Sequence, residues 1–306
     1  MTLFKIEKDE TLTLISEKSF KLEKKLQELC EKNLETVFNL KYVRSEFTIN
    51  NFRIDTLAFD PQSKSFVIIE YKKDRNFSVV DQGYAYLSLM LNNKADFILE
   101  YNENRKENLK RNDVDWSQSK IIFVSPSFTL YQRESINFKD LPIELWEVKK
   151  YENNTINFTH LKPSGATESI KTISKGRKTI EKVSKEIKVY TEEDHLKGVP
   201  DVIIELYLKL KNTILNVGDD ITIKPTKFYI GFIARTNITD VHIQKKSLKI
   251  WINLRKGELD DPKNLARDVS NVGHWGNGDY ELQMKDDEDL EYIVSLIKQS
   301  YKKNKE

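Results

Sequence analysis

The residues best suited to do chemistry lie in two short segments, Arg53-Ile54-Asp55-Thr56-Leu57-Ala58-Phe59-Asp60 and Phe66-Val67-Ile68-Ile69-Glu70-Tyr71-Lys72-Lys73. Side chains alternate along a strand, so Glu70 and Lys72 share one face while Ile69 and Tyr71 share the other. Between the segments, Asp60-Pro61-Gln62-Ser63 has the composition of a turn. A hairpin closed there with Phe59 opposite Phe66 sets Asp55 directly across from Glu70, on one face and with Cβ atoms about 5 Å apart. Two carboxylates and an ammonium then converge on a hairpin otherwise made of Val, Ile, Leu and Phe. Like charges buried together need a positive partner. Either Lys72 supplies it, as a salt-bridge cluster, or a divalent cation does. Oxygen donors with no His or Cys nearby suit Mg²⁺ or Mn²⁺, and the expected donors are Asp55, Glu70 and the main-chain carbonyl of Tyr71. Beside such an ion, Lys72 would hold an attacking water and stabilise negative charge growing on a phosphate.

These residues need a frame, and the hydrophobic pattern supplies one. Leu22, Leu26, Leu29, Cys30, Leu34, Val37 and Phe38 recur at helical intervals through Lys21 to Phe38. Three runs rich in Phe, Tyr, Ile, Val and Thr follow, Tyr42 to Ile49, Phe52 to Phe59 and Phe66 to Lys72, and read as an antiparallel meander. Helical spacing returns from Val79 to Leu91, with an apolar strand expected at Ala95 to Leu99. After a polar loop from Tyr101 to Ser119 come a buried strand at Lys120 to Ser125, a loop and helix from Pro126 to Leu141, and a strand at Ile143 to Val148. That order predicts an α/β domain with helices packed on a sheet. The lone Cys30, set in a helical pattern, reads as a small core residue and fits a reducing cytoplasm.

Helix, strand, acid-bearing strand, Glu-x-Lys strand and helix, in this order, resemble the core of the PD-(D/E)XK nuclease superfamily. Asp81-Gln82-Gly83-Tyr84-Ala85-Tyr86 extends the similarity, because it looks like the QxxxY element of RecB-like and archaeal mismatch-endonuclease-like members. Gln82 and Tyr86 are four apart and share a helical face. The resemblance implies a restriction-endonuclease-like mixed sheet flanked by helices, a catalytic set of Asp55, Glu70, Lys72, Gln82 and Tyr86, and a setting in DNA repair or defence. Ile54 stands where the family name places a Pro. Relatives also carry an acid on the first helix, for which Glu28, Glu31 and Glu35 are available, and Glu46 in the preceding strand is a further candidate; a solvated role is the default reading for each.

A basic stretch follows His160. Pro163-Ser164-Gly165-Ala166-Thr167 opens it, and Lys171, Lys175, Arg177, Lys178, Lys182, Lys185 and Lys188 run through it with few large apolar residues. Residues 161–189 are therefore expected to be a linker, either a solvated spacer or an arm that contacts phosphates. Residues 190–306 form the expected second, smaller α+β domain. Its elements are a helix from Pro200 to Asn212, strands at Ile221 to Lys224, Phe228 to Ala234, Val241 to Gln244 and Leu248 to Leu254, and a last helix from Asp287 to Tyr301. Asp268-Val-Ser-Asn-Val-Gly-His274-Trp-Gly-Asn-Gly278 resembles the signature of the DUF5655 family. His274 could bind phosphate, exchange protons or cap a glycine-rich turn. His195 and His242 lack metal-ligand partners at useful spacing. Lys245, Lys246, Lys249, Arg255 and Lys256 near Trp251 could track a nucleic-acid backbone or simply solvate a sheet face.

At 306 residues the chain has the length of two domains, with residues 1–160 as the first. Its 50 basic and 48 acidic residues cancel, so any nucleic-acid surface must be local. No apolar stretch approaches a membrane span, and the start has no signal-peptide pattern. The expectation is a cytoplasmic, Mg²⁺- or Mn²⁺-dependent enzyme that cuts DNA, or alternatively RNA, acting as a monomer or homodimer. Two other classes stay open: a non-catalytic nucleic-acid-binding or regulatory protein on a nuclease scaffold, and a ligand- or partner-binding module with a transport or signalling role.

Overall fold

The computed structural model describes residues 2–20, 22–73, 77–163, 166–173 and 176–305. The chain divides into two units, Met1–Val189 and Tyr190–Glu306. The first opens with a hairpin that the sequence reading missed, β1 (Leu3–Ile6) and β2 (Leu12–Ile15), whose Phe4, Ile6, Leu12 and Leu14 stay exposed, followed by β3 (Glu17–Lys18). The single helix expected over Lys21 to Phe38 is two, α1 (Glu23–Glu31) and α2 (Leu34–Phe38). Asn33 breaks it, because its side-chain amide donates to the Leu29 carbonyl and takes the bond that a continuing helix would use. Lys21 itself lies outside the described residues.

The meander forms as expected, as β4 (Lys41–Ile49), β5 (Phe52–Asp60) and β6 (Ser65–Tyr71), antiparallel throughout. Its turns place Asn50 and Lys64 in the left-handed region, at φ +52° in both cases. Next come α3 (Val79–Asn92) and α4 (Lys94–Arg105). The strand expected at Ala95 to Leu99 is thus helical: Phe97 and Tyr101, four apart, are both buried, and Phe97 meets Phe47 and Phe66 edge-on. A five-residue apolar run did not reveal that period. The unit continues through β7 (Lys120–Ser125), α5 (Leu130–Ser135), β8 (Ile143–Tyr151), β9 (Ile156–Leu161), α6 (Ile170–Ile173) and α7 (Lys178–Glu186).

Strands β3 to β9 form one mixed sheet in the order β3-β8-β7-β6-β5-β4, with β9 on β8, while β1 and β2 pair by themselves; β6, β7 and β8 run parallel. Alternation sorts its side chains into two cores. Leu57, Phe59, Phe66 and Ile68 pack with Leu87, Met90 and Phe97 of α3 and α4. Ala58, Val67, Ile69 and Tyr71 pack on the other face with Leu26, Cys30 and Leu34 of α1 and α2.

The linker expected over 161–189 is not a free spacer. Ile170, Ile180, Val183 and Ile187 are buried in the α3 core, so one apolar stripe docks α6 and α7 while their lysines cover the other side. Ser164, Gly165 and Lys175 lie outside the described residues. In the second unit, α8 (Glu192–Leu196) and α9 (Asp201–Leu215) precede β10 (Thr222–Pro225), β11 (Ile230–Ile233), β12 (Asn237–Ile243), β13 (Leu248–Ile252), β14 (Arg267–Asp268), β15 (Tyr280–Met284) and α10 (Leu290–Lys305). Its antiparallel sheet runs β10-β11-β12-β13-β15-β14, and residues of α9 and α10 share a core with Val241, Ile250, Ile252 and Leu282. The sequence reading missed β14 and β15. Among the described residues no helix is long and apolar enough to cross a membrane.

An ion pair ties the parallel strands. Lys120 Nζ of β7 lies 2.5 Å from Glu144 Oε1 of β8, and Trp146 Nε1 donates to Glu144 Oε2 at 3.0 Å. Burial alone would raise the Glu144 carboxyl, but Lys120, His160 and these hydrogen bonds outweigh it and hold it at about 2. A carboxyl depressed on folding stabilises the fold fully above its ordinary value near 4.5, and that contribution fades as pH falls toward 2. Glu144→Gln should cost on the order of 2–3 kcal/mol at pH 7. It should also flatten the loss of stability between pH 4.5 and 2, as read by urea melts across that range; an unchanged acid limb would refute this role.

Candidate active site

Main-chain pairing between β5 and β6 follows the expected register, Phe59 opposite Phe66, and ends at Thr56 opposite Ile69. One step further along the strands stand Asp55 and Glu70, and here carboxylates take over the pairing. The Asp55 N–H donates to Glu70 Oε1 at 3.2 Å, and the Tyr71 N–H donates to Asp55 Oδ2 at 3.0 Å. Lys72 extends from the same strand end, its own N–H bound to the Val124 carbonyl of β7, and its Nζ lies 3.3 Å from Glu70 Oε2. The three residues read from the sequence as a cluster are therefore together at one end of the hairpin.

Burial and mutual repulsion make this arrangement costly. Glu70 is only 1% exposed. Burial, then the Asp55 charge, push its carboxyl up to about 7, with Lys72 and the Asp55 N–H offsetting only part. Asp55 is raised as well, first by burial, against the pull of the Tyr71 N–H and Lys72 and with a push from Glu46. Two carboxyls that resist ionisation thus stand side by side, with one lysine beside them.

Helix α3 brings the other expected residues. It can approach the sheet because Gly83 has no side chain: a Cβ there would lie 2.5 Å from Ile143 Cδ1 of β8. Tyr86 then reaches the hairpin end, its hydroxyl donating to the Arg53 carbonyl at 3.2 Å. Burial first, then the Glu70 and Asp55 charges, hold that phenol far above its ordinary range, and Gln82 also acts on it. The Gln82 Oε1 is buried without a hydrogen-bond partner. Lys72 in turn stands 5.9 Å from the Phe77 ring centre.

The first helix contributes through a residue that was not among these candidates. Glu28 pairs with Lys25, and Glu35 is exposed. Glu31 accepts from Thr56 Oγ1 at 2.6 Å, which places it with the face of β5 opposite Asp55. The residue missed was Gln27, buried at 4% exposure, whose amide donates to the Asp55 carbonyl at 2.8 Å and to Glu31 at 2.9 Å. A polar residue at a core position of an amphipathic helix was the available signal. Glu46 is bonded to Lys24 and Arg53 and has φ +53°, an unusual backbone for a glutamate. Among the described residues no group of three or more His, Cys, Asp or Glu side chains is placed to hold a metal ion; Asp55 and Glu70 stand as a pair.

In the second unit, His274 lies over Trp251, ring centres 6.3 Å apart, and Lys249 sits 5.8 Å from the same indole. Lys256 pairs with Asp268, whereas Lys245, Lys246 and Arg255 are exposed. Among these cations the structure thus brings Lys249 to the aromatic ring.

Residues 192–304 match the family described as Domain of unknown function (DUF5655). An uncharacterized protein of Haemophilus influenzae is 56% identical over 291 residues, which is 95% of this chain and 96% of that protein. Among solved structures, a repair endonuclease from Pyrococcus abyssi is 18% identical over 40% of this chain and 45% of its own, with a TM-score of 0.23. EndoMS in its apo form is 18% identical over 43% of this chain and 58% of its own, at a TM-score of 0.25. The match therefore spans about half the length of those two structures.

Because Glu70 is raised on folding, the folded state holds its proton over a range where the unfolded chain has released it. Metal-free stability should fall, on this group's account, as pH climbs from about 4.5 to about 7. Chemical denaturation of the native chain and Glu70→Gln in EDTA should show the variant lacking that decline. Identical pH profiles would count against the buried repulsion.

Proposed function

We propose that this chain, which belongs to the same family as the uncharacterized Haemophilus influenzae protein, is a metal-dependent nuclease that hydrolyses DNA phosphodiester bonds. The observation that carries this reading is the pair of buried carboxylates Asp55 and Glu70, bonded to each other's strand, with Lys72 at 3.3 Å. A structural salt bridge would match one carboxylate with one cation; here two carboxyls share one and both are raised by burial. Hard oxygen donors of this kind fit Mg²⁺ or Mn²⁺, and Asp55, Glu70 and the Tyr71 main-chain carbonyl would hold the ion. When bound, it would polarise a phosphoryl oxygen and acidify a water.

The chain's own groups account for the remainder. Lys72, fixed by its main-chain bond to β7, presents an ammonium to the attacking water and to the negative charge that develops on phosphate. Gln82 offers a buried acceptor without a partner, and Tyr86 braces the Arg53 carbonyl at the strand end, so both position the site from α3. The chain order of helix, acid-bearing strand, Glu-x-Lys strand and helix supports the same reading, as does its similarity to the PD-(D/E)XK pattern. DNA is the proposed polymer, with RNA as the control substrate.

With supercoiled plasmid and single-stranded circular DNA, the native chain should cut in Mg²⁺ or Mn²⁺ and not in EDTA. Asp55→Ala and Lys72→Ala should each lose at least about 100-fold in rate. The ion should also raise the melting temperature of the native chain but not of Asp55→Ala, since a ligand stabilises only a fold that binds it. Metal-induced stabilisation without cutting of any polynucleotide would reject the nuclease and keep the metal site; absence of both would reject the reading altogether.

A further inference from the structure

In the second unit the face of the sheet away from α9 and α10 is not left to solvent. Strand alternation sends Ile250 and Ile252 of β13 into the helix-covered core, so Lys249 and Trp251 point to the other face. The register places His242 opposite Lys249 and Glu281 opposite Trp251. The loop after β14 closes over them. Asp240, fully buried, accepts from the Asn277 N–H and side-chain amide at 2.7 and 3.0 Å and so holds the loop down. Gly276 lies on the Trp251 ring, where a Cβ would come within 2.4 Å, and Gly278 lies against the Ile252 carbonyl, which a Cβ would overlap.

Between loop and sheet there remains a cleft of about 360 Å³, lined among others by His242, Lys249, Trp251, Arg267, Trp275 and Glu281. That volume is at the small end of small-molecule sites. Its walls are aromatic: Trp275 is 53% exposed, stacked on Phe228 at 4.8 Å, and Trp251 is buried. Its charge is positive. Lys249 and Arg267 both bond the same oxygen of Glu281, at 3.4 and 2.9 Å, and Glu281 is the one acid among the described lining residues, which leaves one cation uncompensated.

Two polar groups on these walls have no partner in the fold. The Trp251 Nε1–H, on a side chain 1% exposed, has none, although a buried indole N–H ordinarily finds one; neither has His274 Nδ1. His242 Nδ1 lies 2.6 Å from the Phe228 carbonyl, which can only accept, so in the neutral ring Nε2 is left as an acceptor. Flat aromatic walls, an unspent N–H, a ring-nitrogen acceptor and a surplus cation complement a planar heterocycle that carries an anion.

We propose that this cleft binds a nucleotide, with its base against the exposed Trp275 ring and its phosphate on Arg267 and Lys249, whether free or turned out of a single strand. The site lies wholly in the second unit and does not depend on the nuclease reading. Calorimetric titration of the full chain in EDTA, where no cutting occurs, tests it with the four nucleoside 5′-monophosphates, adenosine, inorganic phosphate and a short single-stranded DNA. At least one mononucleotide or the DNA should bind. Trp275→Ala and Arg267→Gln, both at exposed positions, should each weaken binding about 10-fold with an unchanged melting temperature. Adenosine and phosphate should bind at least about 10-fold more weakly than the nucleotide. Binding of a mononucleotide without the DNA identifies a free nucleotide; tighter binding of the DNA, displaced by mononucleotide, identifies a strand. Asp55→Ala should leave the mononucleotide binding intact. The proposal is overturned if neither mononucleotide nor DNA binds at millimolar concentration, or if both variants bind as the native chain does.

Discussion

Where the main-chain ladder between β5 and β6 stops, the next two N–H groups are taken by carboxylates, Asp55 N–H by Glu70 and Tyr71 N–H by Asp55. This reciprocal exchange is the constraint on which the first unit depends. It satisfies two donors that would otherwise be buried unpaired, and it does so by bringing two acids together where burial disfavours both charges. The bonds fix the carboxylates in place. Their repulsion is then a standing cost that a bound cation would relieve, so the same contacts order the strand end and create its demand for positive charge.

The surrounding elements serve that end of the hairpin from both faces. On one, Gly83 lets α3 come down onto β8, which delivers Gln82 and Tyr86. On the other, Gln27 of α1 holds the Asp55 carbonyl, so the acid is anchored through its backbone as well as its side chain. Beneath both, β6 is fixed to β7 in parallel register, and the Lys72 N–H bond to Val124 continues that ladder one residue past the strand. The docking of α6 and α7 against the α3 core adds apolar support to the helix that carries Gln82 and Tyr86.

The second unit uses a carboxylate in a related way, with a different result. Asp240 accepts three amide N–H bonds, two from Asn277 and one from Asn237, and burial still raises it to about 6. Here the acid faces donors and no second acid, so the arrangement latches a loop. What that loop encloses is aromatic and cationic, where the first unit's site is acidic. The two units therefore present opposite chemistry, each on residues that strand alternation sets on one face of a sheet.

The sequence by itself determined the local geometry of the first site. A turn at Asp60 to Ser65 and period-two alternation force Asp55 opposite Glu70, because a slip of one residue would turn the whole apolar set to the wrong face. Helical spacing likewise set Gln82 and Tyr86 together, and the two units divide at Tyr190, where the second domain was expected to begin. Contacts between distant segments were decided only in the tertiary structure. Ala95 to Leu99 became helix because Phe97 and Tyr101 had a core to enter, and the basic stretch became α6 and α7 because four apolar residues found the α3 face. Gln27 surpassed its acidic neighbours for the same reason, since helical phase alone does not reveal which residue meets a carbonyl 28 positions away. Arg267 and Glu281 met Lys249 and Trp251 only once β14 and β15 had joined the sheet. Periodicity specifies which residues share a face; which face meets which is settled by packing across the whole chain.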